Sequence, residues 1–414
     1  LKFSVSFVLA ICVALPVFSA PPADRPGQVF HLDPADMPAP YETESSSNRA
    51  ELISRGPGQL PEAPDGYTVS VFAEGLDHAR WMAVAPNGDV FLAQSRIDEV
   101  TLLVDTDGDG RADVITPFIN GLDGPHGLAL DGGFLYVADL RGIWRVPYLA
   151  GQRRATTAAE RITSPGAFGD SGGHWTRNIA FSADGKHVFA AIGSASNIRE
   201  EASPRATVTR FDRNGKNGRT FATGLRNPVG IAVHPVTGAL YVVVNERDGM
   251  GDGLVPDYLT RIDAGEFFGW PYAYIGKNPQ PGFADRRPDL VAKSIVPDVL
   301  FQSHSAPLGL VFANSEQFPE DWRDDAFVAL HGSWNAAQPT GYKVVRVPFK
   351  DGRPTGGYEN FVTGFWVNTV AGWTGSKSAQ VIGRPAGLAL WRDGSLLIAD
   401  DGANVIWRVR KSAQ

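Results

Sequence analysis

The sequence predicts an all-β chain folded as a six-bladed β-propeller with four-stranded antiparallel blades. Three observations predict it: a hairpin signature recurs six times, its starts are spaced as blades are, and no long amphipathic helical pattern interrupts it. The copies open with GLDHARWMAVAPNGDVFLAQ at Gly75, GLDGPHGLALDGGFLYVAD at Gly121, GGHWTRNIAFSADGKHVFAAIG at Gly172 and GLRNPVGIAVHPVTGALYVVVNE at Gly224. A looser copy, SAPLGLVFAN followed by DDAFVALHGSW, starts at Ser305, and GRPAGLALWRDGSLLIADDGANVIWRVR starts at Gly383. Each copy joins an apolar strand to a second one through a turn such as PNG, DGG, ADG, VTG or RDG, the chemistry of a β-hairpin tip. Successive starts lie 46, 51 and 52 residues apart, then 81 and 78 across insertions. The insertions follow Pro271 and Trp334 and are expected to be surface loops, where sites tend to sit.

Ahead of the repeat, residues 1–20 read as a secretory signal: Lys2 gives the positive end, Phe3 to Phe18 the apolar run, and cleavage is expected after Ser19. The run is short for a membrane anchor. The only cysteine, Cys12, falls inside it, and the bulky Ile11 before it argues against a lipid-attachment site. The mature chain would then carry no thiol and no disulfide, and is expected in the periplasm or outside the cell. Residues 21–64, rich in Pro, Ser, Glu and Asp, read as an N-terminal arm that is poorly ordered or wraps the propeller, and residues 65–414 as the propeller domain. With 414 residues, 43% of them apolar, the chain can build a large core. A formal net charge of −7 speaks against general attraction to nucleic acid or anionic membrane, so anion binding must come from local arginines.

Such arginines stand at one phase of the repeat. Residues opening each blade gather around the channel at one face. At that phase stand His78 and Arg80, His126, His174 and Arg177, Arg226 and Asn227, His304, and Arg384. Any one of them could simply bond a neighbouring blade's carbonyl; the shared phase of the set points to a common pocket. The stretch from Gly224 to Pro271 is the richest. Arg226 and Asn227 precede a proline, which disfavours helix at Asn227, and the loop RDGMGDGLVPDY offers carboxylates and carbonyls that suit a hard cation. Arginine and metal together suit an anionic ligand. His174 follows Gly172-Gly173, which allow close backbone approach to a ligand, and precedes Trp175, a stacking wall. A neutral imidazole there suits proton removal from a hydroxyl, and Arg177 is expected to keep it neutral.

Together GGHWTRN, GLRNPVGIAVHP, NERDGMGD, DYLTRIDAGEFFGWPYAYIG, HGSWN with GYKVVRVPF, and GRPAGLAL with ADDGANVIWRV resemble the quinoprotein sugar dehydrogenase family. Within it they are most similar to the L-sorbosone dehydrogenase-like branch, over about Tyr67 to Arg410. The resemblance implies a six-bladed propeller that binds pyrroloquinoline quinone (PQQ) and calcium over its channel and oxidises a sugar or sugar aldehyde. It implies His174 as the base, Arg226 as the stabiliser of charge on the reduced quinone, and Arg226 and Asn227 beside quinone and metal. It places the metal at Asp248 and Gly249 through backbone carbonyls, and a carboxylate-binding arginine at Arg384. His126, His304, Trp334 and Lys343 are carried over as further pocket residues, and Arg177 is counted with the cofactor-binding residues from its place at the blade-entry phase. The motifs depart from the soluble glucose dehydrogenases, which have an Asp where Gly173 stands, His-Gln-Ser-Gly-Arg where this chain has His-Trp-Thr-Arg, and a cofactor lysine unmatched in the stretch from Val328 to Gly332. Glucose is therefore not carried over as the substrate. No haem-attachment motif occurs in these residues, so electrons are expected to leave to a separate cytochrome or quinone acceptor.

A second metal possibility is DTDGDGRAD. Asp105, Asp107 and Asp109 match the start of a calcium loop, but Thr116 stands where a bidentate Glu is expected, so an ordinary polar hairpin tip is the alternative. Two other functions stay open: a calcium-dependent lactonase-type hydrolase and a non-catalytic binding propeller.

Overall fold

The computed structural model describes residues 24–368 and 378–412; the predicted signal lies outside them. Six antiparallel sheets surround one axis. Each has its first strand innermost, because each repeat enters at the channel and steps outward by hairpins. Blade 1 runs Ala79–Val84, Val90–Gln94, Glu99–Val104 and Val114–Asn120. Blade 2 begins at Gly127–Asp131, blade 3 at Arg177–Phe181, blade 4 at Asn227–Val233 and blade 5 at Pro307–Phe312. Blade 6 runs Pro385–Leu390, Leu396–Asp400 and Val405–Lys411. Its outermost strand is Tyr67–Ala73, the first of the repeat region, so that both ends of the ring lie in one sheet. That pairing covers the edge an open sheet would expose.

The glycines of GLAL, GIAV and GLVF mark where inner strands crowd. A Cβ at Gly127 would lie 2.7 Å from Asn178 Cα in the next blade. One at Gly230, Gly309 or Gly387 would collide with the neighbouring blade's backbone carbonyl. Apolar residues fill the spaces between blades, as in the cluster of Phe327, Val344, Phe361, Leu388 and Trp407 between blades 5 and 6.

Among the described residues no helix is long and apolar enough to cross a membrane. The insertion after Pro271 is less loose than expected for a surface loop: Tyr274 and Ile275 are buried in the core of blade 4.

From Asp24 onward the arm is laid along the propeller instead of being poorly ordered. Val29–His31 adds a fifth strand to blade 5, and Glu51–Leu52 pairs in parallel with Gln380–Val381. Further on, Tyr41 N–H donates to Met250 O (2.9 Å) and Asn48 N–H to Trp334 O (2.7 Å). This also corrects the expectation for Lys343, which does not reach the channel. Its ammonium is buried, donates to Asp24 (3.0 Å) and lies 4.3 Å from the Phe30 ring centroid. Its side chain points outward from the sheet's third strand, and the arm supplies the counter-charge.

Removing that counter-charge leaves a buried ammonium unpaired. Asp24→Ala is expected to lower unfolding stability by about 3 kcal/mol in urea titration; a loss below about 1 kcal/mol would mean that Lys343 finds another partner.

Candidate functional site

At the channel mouth a cavity of 470 Å³ is lined by Arg80, His174, Trp175, Arg226, Asn227, Glu246, Asp248, His304, His331, Trp334, Asn335 and Arg384. Blade entries supply many of these residues, as the phase of the repeat predicts.

His174 is held by its own loop. Its Nδ1 lies 2.9 Å from both the carbonyl and the hydroxyl oxygen of Ser194. That hydroxyl donates to Ser196 O (2.6 Å), so it accepts from His174, and Nδ1 carries the proton. The lone pair of Nε2 is therefore available on a ring that lines the cavity. Burial, then the Arg226 charge, pushes the imidazole down to about 4, against the Ser194 bond and Asp248, with Arg205 adding to the depression. Arg177 is not the cause. It is buried and donates to the carbonyls of His174 (2.7 Å), Thr176 (2.9 Å) and Asp170 (3.3 Å), so it laces the loop and does not line the cavity. Arg205 works beside it, donating to Gly193 O (2.6 Å) and Gly172 O (2.7 Å). Gly173, at φ +75°, lets its backbone approach Ala195, not a ligand. Gly193 clears space for the site itself: a Cβ there would lie 2.7 Å from His174 Cβ and press on the Asn227 amide.

Arg226 is fixed at every nitrogen. It donates to Asn197 O (3.2 Å), Asn245 O (3.2 Å), Glu246 O (2.6 Å), Asn197 Oδ1 (2.9 Å) and Asp248 Oδ2 (3.0 Å). A guanidinium so anchored is a preorganised positive charge at the cavity wall. Asp248 also accepts from Asn335 Nδ2 (2.7 Å), and Asn335 in turn lies 3.1 Å from His304 Nδ1, whose ring is 3.2 Å from Gly251 O. Arg384 donates to His331 O (3.1 Å) and Gly332 O (2.7 Å), which leaves Nη1 without a protein partner among the described residues. Trp334 sits at the rim, 44% exposed, with Arg49 of the arm 5.9 Å over its ring. His126 lies below the cavity, buried, its ring packed on Trp81 and Trp175.

A three-carboxylate ligand fits this donor set: Arg384 has an open nitrogen, and the buried Nε of Arg80 has no partner among the described residues. A cation on the Asp248 carbonyl does not fit. That oxygen accepts from Asn197 Nδ2 (2.8 Å) and from Arg247 Nε (3.0 Å) and Nη2 (2.7 Å). One acceptor at the site, Asn227 Oδ1, is buried and has no partner among the described residues. Gly249, at φ +86°, turns the same loop.

In the hairpin of blade 1, Asp105, Asp107 and Asp109 bring carboxylate oxygens within 4.8 Å of one another. Asp105 already accepts from Gly108 N (2.7 Å), Gly110 N (3.1 Å) and Arg392 (3.1 Å). Thr116 lies in the following strand, paired with Leu102. The loop is self-satisfied as an ordinary hairpin tip would be.

Sequence reasoning missed Asp401. Its carboxylate accepts from His331 Nε2 (2.7 Å) and Arg80 Nη1 (2.5 Å) and lies 3.5 Å from His78 Nε2. Asp401 directly follows the second strand of blade 6, a position at the same rim as the blade entries; that is the signal that could have found it.

A family model described as TrAA12-like matches residues 61–255 and 283–412. An uncharacterized protein of Borreliella burgdorferi is 31% identical over 240 residues, covering 57% of this chain and 60% of that protein. A pyrroloquinoline quinone-dependent pyranose dehydrogenase of Coprinopsis cinerea is 30% identical over 226 residues, covering 42% of this chain and 30% of that one. The chain thus spans less than two thirds of the length of these curated relatives. The holo form of the Coprinopsis cinerea pyranose dehydrogenase PQQ domain shares the fold at TM-score 0.72 and 20% identity, covering 86% of this chain and 98% of that one. The calcium structure of a Trichoderma reesei family AA12 enzyme gives TM-score 0.72 at 20% identity, covering 88% and 99%.

Glu246 beside Arg226 gives a test of the site's electrostatics. Burial pushes its carboxyl up to about 7, with Arg226 opposing. The folded form therefore keeps a proton that the unfolded chain releases. That stability is present below the unfolded carboxylate value and is lost as pH rises through about 7. Glu246→Gln is expected to gain on the order of 2 kcal/mol over wild type at pH 8 and almost nothing at pH 5. Equal changes at both pH values in denaturant titrations would show that Glu246 does not titrate in this window.

Proposed function

The chain belongs to the TrAA12-like family, and from that premise we propose that it is a PQQ- and calcium-dependent dehydrogenase of a sugar or sugar aldehyde, an aldose or a sorbosone-like aldehyde. The observation that carries the reading is the convergence of Arg80, Arg226 and Arg384 with His174 on one cavity of a protein whose net charge is −7. When bound, the quinone supplies a two-electron acceptor able to take a hydride.

The chain's own residues supply the rest. Arg384 and Arg80 would hold the carboxylates by charge-assisted hydrogen bonds. Arg226, immobilised by its carbonyl cage, presents a fixed positive charge to developing negative charge. His174 Nε2 accepts the proton of a hydroxyl bound in the cavity while Nδ1–H stays on Ser194. Trp175 and Trp334 give the cavity apolar walls against which a flat ring or a sugar face can rest. Asn227 Oδ1 is the acceptor that would face a cation. An exported setting is part of the proposal and rests on the signal-like first twenty residues.

A hydrolase reading asks for carboxylates free to hold a metal. Of the three that line the cavity, Asp248 is engaged by Arg226 and Asn335, Asp257 by the N–H groups of Glu246 (2.8 Å) and Ala306 (2.8 Å), and Glu246 is pushed toward its protonated form by burial.

Absorption spectra of protein reconstituted with PQQ and calcium, before and after a panel of aldoses and sugar aldehydes, test the proposal; acid released from a lactone with no electron acceptor would overturn it. His174→Ala is expected to keep quinone affinity within about 3-fold and to lose on the order of 100-fold or more in kcat. Wild-type kcat/KM is expected to fall on the acid side only toward about pH 4, where His174 charges, and a break near 6.5 would remove it as the base. Arg384→Ala is expected to weaken quinone binding by about 10-fold or more with Tm little changed; unchanged affinity in calorimetry would contradict that role.

A further inference from the structure

Removing two electrons from a sugar hydroxyl or a hydrated aldehyde releases two protons per turnover once the electrons have passed to an external acceptor that takes electrons alone, such as a cytochrome. His174 can hold one of them. Besides His304, which is bonded at both ring nitrogens, the cavity contains a second imidazole, His331, which opens the HGSWN stretch. His331 Nε2 is 2.7 Å from Asp401 Oδ1, so Nε2–H donates to the carboxylate, and Nδ1 keeps the lone pair of a ring that lines the cavity. The two rings are opposite tautomers with different supports: Ser194 behind one, a carboxylate behind the other.

We propose that His331 is a second proton acceptor of this cavity and that Asp401 is its positioning residue. The O–H bond of a bound hydroxyl, or of water relaying a proton, breaks, a N–H bond forms at Nδ1, and the positive charge on the ring is shared with Asp401. The inference rests on the dehydrogenase reading. The groups facing His331 are Asp401, which favours its charged form, and Arg384 and Arg80, which disfavour it, while His78 lies on the same carboxylate. Burial and Arg384 come first, which keeps the ring neutral and ready to accept at neutral pH. Arg80, stacked 5.2 Å from the Trp175 ring, and His78 hold Asp401 in place from blade 1.

The tautomer is readable without turnover. Nitrogen-15 spectra of histidine-labelled protein, assigned with His331→Gln, are expected to show His331 protonated at Nε2 with a bare Nδ1; a proton on Nδ1 overturns the proposal. In the reconstituted enzyme, His331→Gln is expected to lower kcat by roughly 10- to 100-fold while KM and quinone affinity stay within about 3-fold. Asp401→Asn should do the same and move the acid limb of the kcat profile. A fall in quinone affinity with kcat preserved at saturation would instead make His331 a binding residue and overturn the assignment. If wild type binds quinone but oxidises no sugar, the dehydrogenase reading fails, and the tautomer measurement alone decides whether His331 can accept a proton.

Discussion

The crowding of six inner strands around one axis dictates the rest of this molecule. Where Gly127, Gly230, Gly309 and Gly387 stand, the strands approach so closely that no side chain fits between backbones. The channel is therefore filled below, and polar side chains at the blade entries are pushed together at its mouth. Cations forced into proximity need negative charge between them, and two carboxylates supply it. Asp248 joins Arg226 to Asn335 and His304, and Asp401 joins Arg80 to His331 and His78. Each carboxylate ties side chains from different blades, so the site's geometry and the ring's integrity share the same contacts.

Much of this was written locally. The hairpin repeat is legible because turn chemistry and strand alternation are properties of neighbouring residues, and the blade-entry phase is legible because each copy starts alike. His174, Arg226, Asn227, His304 and Arg384 line the cavity for that reason. Phase does not fix where a long side chain points. Arg177 shares it, yet its guanidinium turns into the carbonyls of the loop that carries His174. Other partnerships lie far apart in sequence: Asp24 pairs with Lys343 across 319 residues, and His331 with Asp401 across 70. Neither has a local signal, since a charge does not announce which distant charge will neutralise it.

The arm does more than cover an edge. Thr43 and Ser45 accept hydrogen bonds from the backbone of Asp252 and Gly251, in the loop that begins with Asp248. The segment least patterned in the sequence thus steadies the carboxylate that holds Arg226.

The sheet that closes the ring pairs Tyr67–Ala73 with Val405–Lys411. Those strands leave the ribosome at opposite ends of propeller synthesis. The earlier one must wait, unpaired and with its hydrogen-bonding edge open, until nearly the whole domain has been made. Loop closure over so long a span costs entropy that only the finished set of blades offsets. The ring therefore cannot close before Val405–Lys411 is in place, and an edge of Tyr67–Ala73 stays open to other pairings until the last blade docks.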